Sequence, residues 1–374
     1  MERIRALTMP KWGMTMTEGT IASWLVDEGQ AIESGNEYVE IETEKITNVV
    51  EADKPGKLRR IVAHEGQKIP CGGLIAVMAD DNVSDEELEA FLDDFEPVEQ
   101  DEGAAAALQR HKVDVDGLKI NIVSSRGADG QDGTPLVLIH GFGADARSWL
   151  FNQEALASKL PVHSVELPSH GESDVRASAM TLAEMARIIA VVLGEIAPDG
   201  AHLAGHSLGG RVALRLAADK ANKVRSLVLL APAGFGQTAN PEFIGQFIAA
   251  GRRRPMKAAL QMLVKDTDLV NSEMIEQTLS YKHIDGVEEA LRATQQANFS
   301  EGQVNEGTEA ELTSLDCPVL VIWGEDDRVL ASAGAEFARG KAEIVIVAGA
   351  GHLVQMEASG EVNQAIEAFL EARS

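Results

Sequence analysis

The sequence predicts two unlike domains in one chain, an all-β sandwich followed by a larger α/β domain with a mainly parallel sheet. Three observations lead there. A 17-residue pattern occurs twice within residues 19–72. From His111 onward, short Val/Ile/Leu runs alternate with helical stretches, the pattern of strands covered on both faces. Between the two lies an acidic block, residues 80–102, with twelve Asp or Glu and no Lys or Arg. The expected boundaries are 1–79 for the sandwich, 80–110 for an acidic linker and 111–374 for the α/β domain.

The repeat pairs Gly19–Gly35 with Gly56–Gly72 at a constant offset of 37 residues (19 to 56). Gly19/Gly56, Glu28/Glu65, Gly29/Gly66, Gln30/Gln67, Ile32/Ile69 and Gly35/Gly72 are identical, and apolar pairs such as Ile21/Leu58 and Trp24/Ile61 fill inward positions. Two copies are too few for a solenoid. They suit a two-fold sandwich of short strands turned at the glycines. Between the copies, Val39 and Ile41 lead into Glu42-Thr43-Glu44-Lys45-Ile46-Thr47-Asn48, and Val49, Val50 and Ala52 follow. Strand formers around a polar centre predict a hairpin with Lys45 at its tip. A lone hairpin lysine is ordinarily a solvated turn residue; the flanking repeat is what gives this one another reading.

Residues 1–79 resemble a lipoyl domain of the 2-oxo-acid dehydrogenase acyltransferase type, on the opening Met9-Pro-Lys-Trp-Gly-Met-Thr-Met-Thr-Glu-Gly19 and the Glu42-Thr-Glu-Lys45 centre. A biotinyl domain shares the fold but sets its lysine between methionines. Here Glu44 and Ile46 flank it, so the resemblance implies covalent lipoate on Lys45. Dithiolane chemistry on a mobile arm needs an exposed amine on a rigid support, and a hairpin tip supplies both.

The length of 374 residues gives two domains as the natural division and ample chain for a core. A net charge of −26 argues against non-specific nucleic-acid binding. Cys71 and Cys317 have no paired spacing, which fits a reducing compartment and no zinc ribbon. Met1 leads directly into Ile4-Arg5-Ala6-Leu7 without a signal-peptide pattern. No apolar run approaches the ~18 residues of a membrane span. The expectation is a cytoplasmic protein with no nucleic-acid or membrane partner.

Within the acidic block, Ser84 and Glu87 form a capping-box pattern, followed by Leu88, Phe91, Leu92 and Phe95 at helical spacing. The expected helix, 84–96, docks its apolar stripe on this chain's second domain or on a partner enzyme. The rest reads as a solvated, self-repelling linker with a reach on the order of 30 Å, giving roughly millimolar effective concentration. Acyltransferases of the lipoyl type carry a small basic subunit-binding domain at this place, and none is seen.

In the second domain, Val113-Asp-Val115 and Leu118–Val123 suggest an opening antiparallel pair. Strand runs follow at 135–139, 162–167, 201–205, 224–230, 318–323 and 343–347, with helical stretches at 182–195, 211–219 and 361–372. Gly205-His206-Ser207-Leu208-Gly209 falls between a strand ending at Ala204 and a helix beginning near Gly210. In that context a Gly-x-Ser-x-Gly match has a physical meaning. The glycines permit a sharp turn that exposes the hydroxyl, and the helix N-terminus favours developing negative charge. Gly324-Glu-Asp-Asp327 and Gly349-Ala-Gly-His352 follow two later strand ends, giving the order Ser, acid, His.

Residues 111–374 therefore resemble an α/β-hydrolase, with His140-Gly-Phe-Gly143 as the oxyanion turn. The resemblance implies Ser207 as nucleophile, His352 as general base and then acid, and Asp327 as its orienting carboxylate. It implies the backbone N–H groups of Phe142 and Leu208 as oxyanion donors. Asp326 reads as a loop charge, and His140, His170 and His206 as satisfied loop or pocket-wall histidines. Residues 236–305 break the strand pattern with helices, where this family inserts its cap. Arg252-Arg253-Arg254, Lys257 and Lys265 lie there; they read as a solvated cap face or as an attractor for an anionic acceptor or the acidic carrier.

The fusion of these two domains resembles the acyltransferase (E2) subunits of bacterial acetoin-cleaving systems. That resemblance implies a thiamine-diphosphate-dependent E1 enzyme that loads acetyl on the lipoyl arm, coenzyme A as acceptor, dihydrolipoyl dehydrogenase as a further partner, and a homo-oligomer. The His-x-x-x-Asp-Gly of ordinary acyltransferase cores is missing: none of the Asp-Gly pairs at 116, 129, 132, 199 and 285 has a His four residues earlier. Either coenzyme A resolves an acetyl-Ser207 ester, or water does and the chain is a thioesterase or carboxylesterase. A third reading is a carrier whose hydrolase fold serves assembly. No metal is implied.

Overall fold

The computed structural model describes all residues except 1–3, 10–17, 34–35, 43–46, 53–54, 80–82, 94, 96–107, 126–132, 177, 179, 220–222, 237–238, 300–303, 305 and 373–374. The chain divides into two compact units, Met1–Ala105 and Ala106–Ser374.

The first unit has strands β1 (Ile4–Thr8), β2 (Glu18–Trp24), β3 (Ala31–Ile32), β4 (Glu37–Glu42), β5 (Thr47–Glu51), β6 (Gly56–Ile61), β7 (Lys68–Pro70) and β8 (Leu74–Ala79). They form two four-stranded sheets, ordered β1-β8-β6-β3 and β5-β4-β2-β7. The repeat explains the architecture. β3 pairs with β6 and β7 with β2, so each copy lends a strand to the other. Ile21 and Leu58 are buried, while Trp24 and Ile61 are half-buried against the core. The identical polar pairs make reciprocal bonds. Glu28 accepts from the N–H of Ile61 (2.6 Å) and Glu65 from that of Trp24 (3.2 Å). Gly29, at φ +88°, donates to Leu58 O, and Gly66, at φ +81°, donates to Ile21 O. β4 and β5 pair with Ile41 opposite Asn48 and Glu42 opposite Thr47. Residues 43–46, with Lys45, lie between them and outside the described residues.

The acidic helix forms as α1 (Asp85–Asp93), and the Ser84/Glu87 box closes in both directions, at 2.8 and 3.2 Å. Its docking differs from expectation. Leu88, with Phe91 and Leu92 beside it, packs on Val77 and Ala79 of β8 and on Ile4 of β1. Arg59 donates to Val83 O (3.1 Å), and Arg60 pairs with Glu89 at 3.1 Å. The apolar stripe is thus covered by the first unit itself, and the stretch between the units begins later than residue 80. Leu88→Ala should weaken α1 docking by about 2–4 kcal/mol. Hydrogen exchange should then show lost protection across α1 with none lost in the second unit; equal protection in the variant would remove Leu88 as the anchor.

The second unit is one eight-stranded sheet, ordered β16-β15-β14-β13-β11-β12-β10-β9. Its strands are β9 (Gln109–Val115), β10 (Leu118–Ser124), β11 (Leu136–Ile139), β12 (Val162–Val165), β13 (Ala201–His206), β14 (Val224–Leu230), β15 (Val319–Gly324) and β16 (Glu343–Val347). β10 pairs antiparallel with β9 and β12, and every other pairing, including β11 with β12, is parallel. Side chains alternate between two cores. Val137 and Ile139 face α3 (Leu182–Ile196) and α4 (Leu208–Ala218), while Leu136 and Leu138 face α2 (Leu150–Ala157) and α11 (Ser359–Glu371). α4 begins directly after Ser207, two residues earlier than the spacing suggested, and α2 has no counterpart in the sequence reading.

Between β14 and β15 the cap contributes α5 (Pro241–Ala249), α6 (Arg253–Leu260), α7 (Ser272–Lys282) and α8 (Val287–Asn298), before α9 (Thr308–Ser314) returns to the body. Two buried cations fasten it. Lys282 donates to the carbonyls of Phe247, Ile248 and Ala250 at 2.7–2.9 Å, closing the end of α5. Arg211 of α4 bonds Glu311 of α9 and the carbonyls of Val304 and Glu306. α10 (Val354–Glu357) precedes α11. No helix among the described residues is long and apolar enough to cross a membrane.

Candidate active site

Ser207 sits on the turn from β13 into α4 at φ +53° and ψ −116°, a conformation that costs a non-glycine residue about 1–3 kcal/mol. The neighbouring glycines make the turn sterically feasible. A Cβ on Gly205 would lie 2.4 Å from Gly209 O, and one on Gly209 would lie 2.3 Å from the carbonyls of Ile139 and His140. The turn is held from both sides, by Ser207 N–H to Leu230 O (2.9 Å) and by Ala233 N–H to Ser207 O (3.0 Å). The loop after β11 abuts it: a Cβ on Gly141 would lie 3.1 Å from Ser207 Cβ. Phe142 is therefore on the loop beside Ser207, and Leu208 opens α4, where the first helical N–H groups have no partner within the helix.

His352 follows β16, and its Nδ1 lies 2.7 Å from Asp327 Oδ2, with both side chains buried. Asp327 is held by three further donors. Oδ1 accepts from the N–H groups of Val329 and Leu330, each at 2.8 Å, and Oδ2 from Trp323 Nε1 at 3.1 Å. Asp327 Oδ2 accepts the hydrogen bond of His352 Nδ1–H, which leaves Nε2 of His352 as an acceptor. His206, the residue before Ser207, donates from Nε2 to His352 O (2.9 Å), and the two rings are 4.7 Å apart. The structure thus brings the Ser207 turn, the 140–143 loop and the His352–Asp327 pair to one end of the sheet. Asp326 points elsewhere, to Lys265 at 3.1 Å.

Aromatic rings surround the 140–143 loop. Phe142 meets Phe247 of α5 and Phe299 edge-on, at 6.2 and 5.8 Å between centroids. A Cβ on Gly143 (φ +71°) would lie 2.4 Å from the Phe247 ring, so only glycine lets the cap close here. His140 is satisfied at both nitrogens, by Gly141 O and Leu167 N–H. His170 and His206 are not: Nε2 of one and Nδ1 of the other have no partner among the described residues. The sequence reading took all three as satisfied; close packing leaves two half-bonded. Trp323, which braces Asp327, was visible only as a strand residue, because its four-residue spacing to the acid carries no motif. On the cap, Arg253 pairs with Glu276 and bonds Ser272, while Arg252, Arg254 and Lys257 are exposed.

A serine presented on such a turn, above a mostly parallel sheet of this order, defines an α/β hydrolase, and residues 136–365 match the alpha/beta hydrolase family. Residues 5–78 match a second family, described as biotin-requiring enzyme. Among solved structures, a serine hydrolase involved in carbazole degradation superposes with a TM-score of 0.62 at 22% identity, covering 71% of this chain and all (100%) of that one. Nearly the whole chain is matched elsewhere. It is 39% identical to the dihydrolipoyllysine-residue acetyltransferase component of the acetoin cleaving system of Cupriavidus necator, over 97% of this chain and 96% of that one. The counterpart from Pseudomonas putida is 38% identical over 99% of both. The chain belongs to this family of acetoin-system acetyltransferase components.

The buried histidines set an acid limit. Burial lowers His140 below its ordinary 6.5, pushes His206 well below it and takes His170 to about 3, where neighbouring His140 adds to the effect. Folding disfavours the charged form of all three, whereas the unfolded chain protonates them near 6.5. Below that pH the unfolded state binds more protons, so stability falls with pH, by up to about 1.4 kcal/mol per pH unit for His170. The helical circular-dichroism melting midpoint should fall steeply between pH 6.5 and 5; a flat profile would contradict neutral burial.

Proposed function

We propose that this chain transfers an acetyl group from a lipoyl-lysine arm on Lys45 to coenzyme A through an acetyl-Ser207 ester. The observation that carries the reading is the buried His352–Asp327 bond of 2.7 Å beside a serine held at positive φ. The family supplies the reaction. Lys45 would carry the lipoate as an amide; the β4–β5 ladder, closed from Glu42 to Thr47 around a lysine, suits that attachment. When bound, the group supplies a dithiol that presents the acyl chain as a thioester.

Ser207 Oγ attacks the thioester carbonyl while His352 Nε2 takes the hydroxyl proton, and Asp327 stabilises the imidazolium. The N–H groups of Leu208 and Phe142 receive the oxyanion. Collapse breaks the C–S bond, and His352 returns the proton to the departing thiolate. The thiol of coenzyme A then attacks the serine ester, His352 takes its proton, and Ser207 leaves with that proton restored. The partners in this reading are a thiamine-diphosphate-dependent E1, dihydrolipoyl dehydrogenase and further copies of the chain, in the cytoplasm, where Cys71 and Cys317 stay out of disulfides. The hydrolase fold favours one competing reading, in which water resolves the ester.

Intact-mass measurement of the lipoylated, S-acetylated chain separates them. Acetyl loss should require coenzyme A and yield acetyl-coenzyme A, and Ser207→Ala should slow it by about a thousandfold or more. Lys45→Arg should remove the lipoyl mass yet leave Ser207 open to a small activated ester. Equally fast loss to acetate without coenzyme A would make the protein a thioesterase, and no effect of Ser207→Ala would remove the serine from the reaction.

A further inference from the structure

One stretch of the cap, residues 263–266, touches both loops that carry the His352–Asp327 pair. Leu353 N–H donates to Leu263 O (3.0 Å), Arg328 Nη2 reaches Val264 O (3.4 Å), and Lys265 Nζ pairs with Asp326 (3.1 Å). At the centre of these contacts is Glu357, the last residue of α10. Its Oε1 accepts the N–H groups of Lys265 (2.6 Å) and Asp266 (3.1 Å), and its Oε2 accepts the N–H of Gly351 (2.6 Å). Gly351 is the residue before His352. A Cβ there would lie 2.8 Å from Lys265 N and 2.9 Å from the Glu357 carboxylate. Cap backbone, carboxylate and His352 loop are in direct contact.

We propose that Glu357 is a positioning residue that sets the cap and the His352 imidazole together. One carboxylate gathers two N–H groups from the cap and one from the histidine loop, and bonds to an ionised acceptor are the strong kind. The position of Gly351 fixes the main chain of His352, whose carbonyl already accepts from His206 and whose Nδ1 must meet Asp327. No other step in the reading of Ser207 uses this glutamate, although its role in catalysis rests on that reading. Glutamine at this position keeps the volume but replaces one oxygen by a donor facing an N–H, so one of the two sides must let go. The loop then shifts, the Asp327 bond lengthens, and a negative charge is lost from the neighbourhood. Both changes disfavour the imidazolium.

The test compares Glu357→Gln and Glu357→Asp with Glu361→Gln, an exposed charge control at the start of α11, all in the full-length lipoylated chain. Ser207 acylation by p-nitrophenyl acetate is followed across pH, and the His352 imidazole is titrated by NMR with its low-field Nδ1 proton. Glu357→Gln should acylate about tenfold more slowly with nearly unchanged KM. Its imidazole should titrate about half a pH unit lower, with a weakened Nδ1 proton signal. Glu357→Asp should recover part of each, and Glu361→Gln should match wild type. A Glu357→Gln chain that melts earlier but keeps the wild-type titration and Nδ1 proton overturns the proposal. A wild-type chain that is not acylated at Ser207 overturns the reading of the serine instead, and positioning is then judged on the titration alone.

Discussion

The site in the second unit depends on one steric constraint, the approach of three backbone segments around Ser207 too close for any side chain. Gly205 and Gly209 face main chain at distances a Cβ cannot share, and a Cβ on Gly141 would press on the His206 ring and on Ser207 at 3.0 and 3.1 Å. The serine pays for the crowding with a left-handed φ of +53°, about 1–3 kcal/mol of strain. The surrounding core holds it there: Leu208, Leu230 and Ala231 are all fully buried. Strain of this size is small against a core that spans both faces of eight strands.

The first unit meets its constraint through symmetry. Eight short strands bury little apolar surface each, and an isolated copy of the repeat would leave its edge strands open. Exchange of β3 and β7 between copies closes those edges, and the reciprocal glutamates cap the strand ends. α1 then covers the remaining apolar face of β8. The β4–β5 ladder that flanks Lys45 belongs to the second of the two sheets, paired through β4 to β2.

Most of this was legible because each feature left a local mark. The repeat at an offset of 37 showed the two-fold sandwich, and continuous Val/Ile/Leu runs showed the covered strands. The strand-turn-helix context singled out Ser207. What escaped depends on tertiary contact. Leu74-Ile-Ala-Val-Met-Ala79 is apolar on both faces, a sign that something covers β8, but nothing local says that α1 does. α2 was missed because Leu150–Ala157 mixes Asn152, Gln153 and Glu154 into a short stretch with a weak apolar face. The bonds of Trp323 to Asp327 and of Glu357 to Gly351 join residues whose spacing signals nothing until the loops are folded.

A hydrolase-type site can run transfer when the second nucleophile is favoured over water at the serine ester. Water is far more concentrated than any thiol, so the preference has to come from the pocket wall. Around the 140–143 loop Phe142 meets Phe247 and Phe299, rings that offer a water molecule almost nothing to bond, and on another side His170. The cap that brings Phe247 down is closed by Lys282 on the end of α5 and is tied through Glu357 to the loop of His352. A loosened cap would admit water and displace the base at once. In the proposed transfer, the contacts that hold the cap on the His352 loop would act on the imidazole as well, so choice of acceptor and speed of the chemical step would share one piece of structure.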